Sequence, residues 1–226
     1  MRVLTALTNE NQVISLLVQP NPQKQPFRCP ACGSPVRLRQ GKIIRPHFAH
    51  ITLANCHFQT ENESQEHLHL KAKIYTSLIK TEKVCVEKYL PELQQFPDLW
   101  VNDKLALEIQ CSPIPIERLV ARTQAYQKHG YEVRWLLGKK LWLKNRLTAF
   151  QKQCLYFSSR LGFHLWELDT AAHLLRLKYL IHEDLFDKVS YLTKTISLDN
   201  NIMESLRIPY HQSKLCSYQK PMAKSL

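Results

Sequence analysis

The stretch FPDLWVNDKLALEIQ, residues 96–110, decides how the chain reads. It opens on a short strand, turns at Asn102-Asp103-Lys104, and returns as LALEIQ, which follows the two-residue period of a second strand. Leu105, Leu107 and Ile109 therefore point one way, and Ala106, Glu108 and Gln110 the other. Same-face residues two apart lie roughly 6.6 Å from each other, so Glu108 and Gln110 can address one ligand. Asp98, directly after Pro97, can join them across the hairpin. Hard divalent cations such as Mg²⁺ take a few carboxylate oxygens and keep several waters. Periodicity alone suits a solvent-facing polar edge equally well. The helix and strand that follow the D…ExQ arrangement favour the metal-binding reading.

Outward from the hairpin, a helix begins near Ser64, with Asn62 or Ser64 as its N-cap. Leu68, Ala72, Tyr75 and Ile79 form its apolar stripe. Glu66 sits in its first turn, where the helix dipole favours an acid and where it can also complete an acidic set. VCVEKYL reads as a strand. PIERLVARTQAYQKHG reads as a helix, with Pro115 near its start and Gly130 at its end, and YEVRWLLG as the next strand. The order α-β-β-β-α-β predicts a three-layer α/β core over residues 61–142. Arg118 and Arg122 lie one turn apart, either a phosphate clamp or ordinary surface arginines. Tyr126 and Trp135 are expected in the core.

Residues 143–226 read as a mainly helical part. NRLTAFQKQCLYFSSRLG, residues 145–162, has Leu147, Phe150, Cys154, Phe157 and Leu161 at helical spacing. FHLWELD and HLLRLKYL read as a hairpin, and EDLFDKVSYLTKTISL, residues 183–198, as another helix. The tail is expected to fray.

Residues 1–60 form a separate module: two short strands about Asn9-Glu10-Asn11, a Pro-rich connection, and a hairpin turned at Gln40-Gly41. Its chemistry lies in Cys29-Pro-Ala-Cys32-Gly33, a zinc knuckle with Gly to allow the tight turn. His47, His50, Cys56 and His57 follow at ligand spacing. Cys29, Cys32, His50 and Cys56 are the preferred structural Zn²⁺ set, with His47 as substitute. Arg28, Arg37, Arg39, Lys42 and Arg45 make the module cationic and able to touch phosphates. Cys85, Cys111, Cys154 and Cys216 are scattered and read as buried or incidental thiols.

The net charge is +12, with 31 basic and 19 acidic residues. The excess lies in the two flanks, while residues 61–140 hold twelve basic and eleven acidic residues. That distribution suits a polyanion held at the periphery of a cation-binding centre, and it points to nucleic acid. No apolar run approaches the ~20 residues of a membrane span. The polar N-terminus does not read as a signal peptide, so a cytoplasmic protein is expected.

The PDL…LALEIQ stretch resembles the PD-(D/E)xK nuclease signature, with Gln110 where Lys usually stands. CPACGSPVRLRQG, HFAH, ENESQEHLHLK, the PD…LEIQCSPI hairpin and R…Y…GYEVRWLLG together are similar to the competence protein CoiA family. The resemblance implies a zinc-ribbon-like N-terminal module, a restriction-endonuclease-like core and a helical C-terminal part. It also implies a role in handling incoming single-stranded DNA during bacterial natural transformation, near the recombinase. By position, Asp98 and Glu108 would bind Mg²⁺ or Mn²⁺, Gln110 would fill the lysine slot, and Glu66 would be an accessory acid. A neutral Gln only hydrogen-bonds, which leaves Lys71 or Arg122 as nearby sources of charge. Three functions follow: a metal-dependent nuclease, a non-cleaving factor that delivers single strands to the recombinase, or a zinc-bearing protein scaffold.

Overall fold

Short strands separated by Pro, Gly and Asn give the first part of the chain a sheet with little helix. The computed structural model describes residues 2–41, 45–52, 56 and 64–207. Strands β1 (Arg2–Val3), β2 (Thr5–Leu7), β3 (Val13–Ser15), β4 (Phe27–Arg28), β5 (Pro35–Arg39) and β6 (His47–His50) pair antiparallel in the order β1-β6-β5-β4-β2-β3. The β2–β3 turn is closed by Asn11 at φ +60° and by the Thr8 hydroxyl, which accepts the Gln12 N–H. Leu4, Phe27, Val36 and Phe48 fill the interior.

The next segment is α1 (Gln65–Leu78), β7 (Val84–Val86), β8 (Leu99–Val101), β9 (Leu105–Gln110), α2 (Ile116–Lys128) and β10 (Glu132–Leu137). This is the α-β-β-β-α-β order that the sequence predicts. Ser64 caps α1 by accepting the His67 N–H. In the three-residue β8–β9 loop both Asn102 and Asp103 take positive φ, and the Lys104 N–H donates to the Val101 carbonyl at 3.1 Å. The alternation of β9 separates two cores. Leu105, Leu107 and Ile109 pack in one core with Leu68, Ile74 and Leu78 of α1. Ala106 packs in the other with Leu119 and Tyr126 of α2 and Trp135 of β10. The sheet is thus layered between the two helices, and the N-terminal sheet shares the α1 core.

The helical expectation for residues 143–226 is corrected. The chain continues as α3 (Ala149–Gln153), β11 (Tyr156–Ser158), β12 (Gly162–Asp169), β13 (Leu174–Glu183), β14 (Val189–Ser197) and α4 (Met203–Arg207). The predicted β12–β13 hairpin is present. The helix expected over 145–162 is confined to α3, because Tyr156, Phe157 and Ser158 pair antiparallel with β12 instead. The helix expected over 183–198 is the strand β14, whose Thr193, Thr195 and Ile196 suit a pleated surface and pair with β13. Strand β12 lies parallel beside β10, giving the sheet order β14-β13-β12-β10-β9-β8-β7. The C-terminal strands therefore extend the sheet that carries the hairpin. The expected frayed tail, Lys42 and His57 lie outside the described residues.

Candidate functional site

Asp98 and Glu108 converge from opposite faces of the sheet. Asp98, just before β8, accepts the Ile109 N–H at 2.8 Å, which ties it to the residue after Glu108. Two side chains of α1, four residues apart and so on one helix face, meet its carboxylate. His67 Nε2 lies 3.0 Å from Oδ2, and Lys71 Nζ donates to Oδ1 at 2.9 Å. Burial alone would raise the Asp98 carboxyl, but the His67 and Lys71 charges outweigh it and hold the group well below the usual carboxylate range.

Lys71 is fully buried and also donates to Glu87 Oε1 at 2.8 Å. Glu87 Oε2 in turn accepts the Leu4 N–H at 2.8 Å, the Thr5 N–H at 3.1 Å and the Thr5 hydroxyl at 3.0 Å. Glu87 holds φ +47°, a left-handed conformation that a non-glycine side chain rarely takes. A continuous polar chain thus runs from the N-terminal sheet through Glu87 and Lys71 to Asp98.

Glu108 faces α2, where Oε1 accepts the Tyr126 hydroxyl at 2.6 Å and the Arg122 guanidinium at 2.5 Å. Burial raises its carboxyl and Asp98 adds to the rise, against the opposing pull of Arg122. The two carboxylates thus sit in contrasting environments, one held ionised by cations and one pushed towards neutrality by burial.

Both line a single cavity of about 300 Å³, together with Glu66, Gln110, Arg118 and Arg122. Six residues singled out from the sequence, drawn from α1, β9, α2 and the residue before β8, are therefore brought together. Gln110 donates its amide to the Ser112 carbonyl at 2.6 Å, and Glu66 accepts from Thr170 at 3.4 Å. Arg37 and Arg39 are exposed on β5 and do not line the cavity. His67 and Lys140 also line it and were not expected there. The spacing of His67 and Lys71 on one helix face was the available signal for His67. Tyr126 is buried as predicted, but its hydroxyl bonds Glu108, which helical periodicity does not reveal.

The end of β10 is fitted tightly against this site. The Gly138 N–H donates to the Gln110 carbonyl at 2.8 Å, and a Cβ on Gly138 would lie 3.1 Å from Cys111 Cα and Sγ. Gly138→Ala is expected to lower stability by about 1–3 kcal/mol through overpacking. Urea unfolding measures it, and an unchanged midpoint would show that the strand ends can part freely.

The second cluster matches the knuckle. Cys29, Cys32, His50 and Cys56 bring their ligand atoms within 4.8 Å of one another. Gly33 takes φ +69°, and its N–H donates to the Cys29 carbonyl at 3.0 Å, closing the turn. His50 Nε2 lies 3.4 Å from Cys32 Sγ. His47 is outside the cluster, with Nδ1 3.0 Å from the Arg45 carbonyl. Burial pushes the Cys29 thiol up to about 12. Burial opposes ionisation at Cys32 too, but hydrogen bonds from Ser34 and His50 bring it down to about 6. Three sulfurs and one imidazole nitrogen are a donor set that can hold a metal such as zinc.

The structure thus joins an α/β sheet with two carboxylates in a cleft to a small sheet with a cysteine–histidine cluster. The family model described as "Competence protein CoiA, nuclease-like domain" matches residues 63–209, and "Competence protein CoiA, N-terminal domain" matches residues 12–59. The chain belongs to the competence protein CoiA family. It is 32% identical over 133 residues to competence protein CoiA of Bacillus subtilis (strain 168), a match covering 57% of this chain and 35% of that protein. The chain thus spans about a third of the length of the curated relative it matches. No solved structure matches. Among the described residues, no helix is long and apolar enough to cross a membrane.

Proposed function

We propose that this competence-family chain is a metal-dependent nuclease with a restriction-endonuclease-like core, acting in the cytoplasm on incoming single-stranded DNA. The observation that carries this reading is the shared cavity of Asp98, Glu108, Glu66 and Gln110. Two carboxylates lining one cleft fit Mg²⁺ or Mn²⁺, which need only one or two protein carboxylates. Bound there, such an ion would lower the pKa of a water and stabilise charge on a scissile phosphate. The chain's own residues prepare the cleft. Lys71 and His67 keep Asp98 ionised, Arg122 and Tyr126 orient Glu108 through Oε1, and Arg118 lines the entry for phosphate. In the N-terminal module, Cys29, Cys32, His50 and Cys56 would hold structural Zn²⁺, while Arg37, Arg39 and Lys42 would contact the DNA backbone.

A second reading has its own support. Both carboxylates are already paired with cations of the fold, and Gln110 is neutral where a nuclease of this signature carries Lys. Such a cleft suits a non-cleaving factor that binds single strands and hands them to the recombinase.

End-labelled single- and double-stranded DNA incubated with Mg²⁺, Mn²⁺ or EDTA separates the two. Cleavage that needs metal, and that Asp98→Ala and Glu108→Ala abolish while DNA binding persists, supports the nuclease. Binding without cleavage by wild type in every condition supports delivery.

A further inference from the structure

A phosphodiester enters a cavity lined by Glu66, Asp98 and Glu108 only where positive charge meets it. Several cations at hand are engaged. Lys71 is buried between Asp98 and Glu87, and Arg122 is held by Glu108 and by the Phe96 carbonyl. Gln110 is neutral and tied to Ser112. Lys140 is different: it is exposed, lines the cavity, and forms no ion pair among the described residues.

The fold puts Lys140 there. Strands β9 and β10 run parallel with Gln110 opposite Leu137, so the segments that leave them emerge at the same end. Gly138 presses the second segment against Cys111. A 3₁₀ turn, Lys139–Leu141, follows, anchored by the buried Leu141 side chain and by the Gln151 amide on the Leu141 carbonyl at 2.9 Å. Both lysines of the turn are exposed, but of the two only Lys140 lines the cavity.

We propose that Lys140 is a phosphate-contacting residue of the cleft, binding a backbone oxygen of DNA. The proposal rests on the DNA-processing reading of the cavity and adds to it the cation that Gln110 cannot supply. Lys139, with the same charge on the same turn, is the internal control.

The test is amine-acetylation footprinting, read by mass spectrometry, with a short single-stranded oligonucleotide in Ca²⁺ and again in EDTA. Lys140 is expected to be protected and Lys139 not. In parallel, Lys140→Met should weaken oligonucleotide binding and reduce the logarithmic salt slope by about 1. Lys140→Arg should restore both, and Lys139→Met should change neither. Equal protection of the two lysines, protection of neither, or wild-type binding by Lys140→Met would overturn the proposal. Wild-type cleavage in Mg²⁺, run alongside, separates this from the parent reading. Protected Lys140 without any cleavage keeps the contact and removes the nuclease. Cleavage with unprotected Lys140 does the reverse.

Discussion

Lys71→Ala is expected to lower the folding stability of this chain by about 3–5 kcal/mol, the cost of removing one partner from a buried ion pair. The magnitude follows from where Lys71 stands. Its ammonium is fully buried and bonded to two carboxylates, the buried Glu87 and the largely buried Asp98. Without it, both are left in the interior with negative charge. Glu87 has in addition committed its other oxygen to Leu4 and Thr5, so the N-terminal sheet is expected to loosen as well. Lys71→Met keeps most of the side-chain volume and removes the charge, so it isolates the electrostatic part. Urea unfolding of both variants measures the loss, and a change below about 1 kcal/mol, the value of an exposed pair, would sink the argument.

Titration of Asp98 carries the same signature. Burial would raise its carboxyl, but His67 and Lys71 depress it below the ordinary value of 3.8. A depressed folded pKa adds stability that is complete above the ordinary value and is lost as pH falls towards the folded one. Asp98→Asn should therefore flatten the acid limb of the stability–pH curve below 3.8.

With the proposed Zn²⁺ held by Cys29, Cys32, His50 and Cys56, its removal is expected to have the second large effect. Structural Zn²⁺ binding in small modules is worth about 10–16 kcal/mol of apparent free energy near neutral pH. The strands here are two to five residues long, and the knuckle connects β4 to β5 in the middle of their sheet. A strong chelator, or Cys29→Ser, should therefore unfold the strands β1 to β6 while leaving the strands β8 to β10 largely protected in hydrogen exchange. Acid should release the metal too, because its ligands must be deprotonated and Cys29 is a poor thiolate without a cation. Protein purified with no bound zinc yet fully protected in the strands β1 to β6 would overturn the assignment.

The parts of the molecule legible from sequence are those whose determinants lie close together along the chain. The alternation of LALEIQ, the Asn102-Asp103 turn, the Ser64 cap and the Cys29–Gly33 knuckle each need only a few neighbouring residues. The α-β-β-β-α-β order and the split of β9 into two faces followed from them. The C-terminal strands were not legible. Leu147, Phe150 and Cys154 have helical spacing and Phe150 does lie in α3, but whether Phe157 continues the helix depends on β12 being available to pair with it. Likewise β14 is a strand because β13 supplies its hydrogen bonds.

The site divides in the same way. Asp98, Glu108, Gln110, Glu66 and Arg122 were found because a hairpin and two helix positions display them in order. What surrounds them came only with the tertiary structure. Glu87 meets Leu4 across 83 positions, His67 meets Asp98 across 31, and Lys140 reaches the cavity because β9 and β10 end together. Local chemistry fixes which backbone each short segment prefers. Partners for buried charge are chosen by long-range packing, where the low dielectric makes an unpaired group too costly to leave.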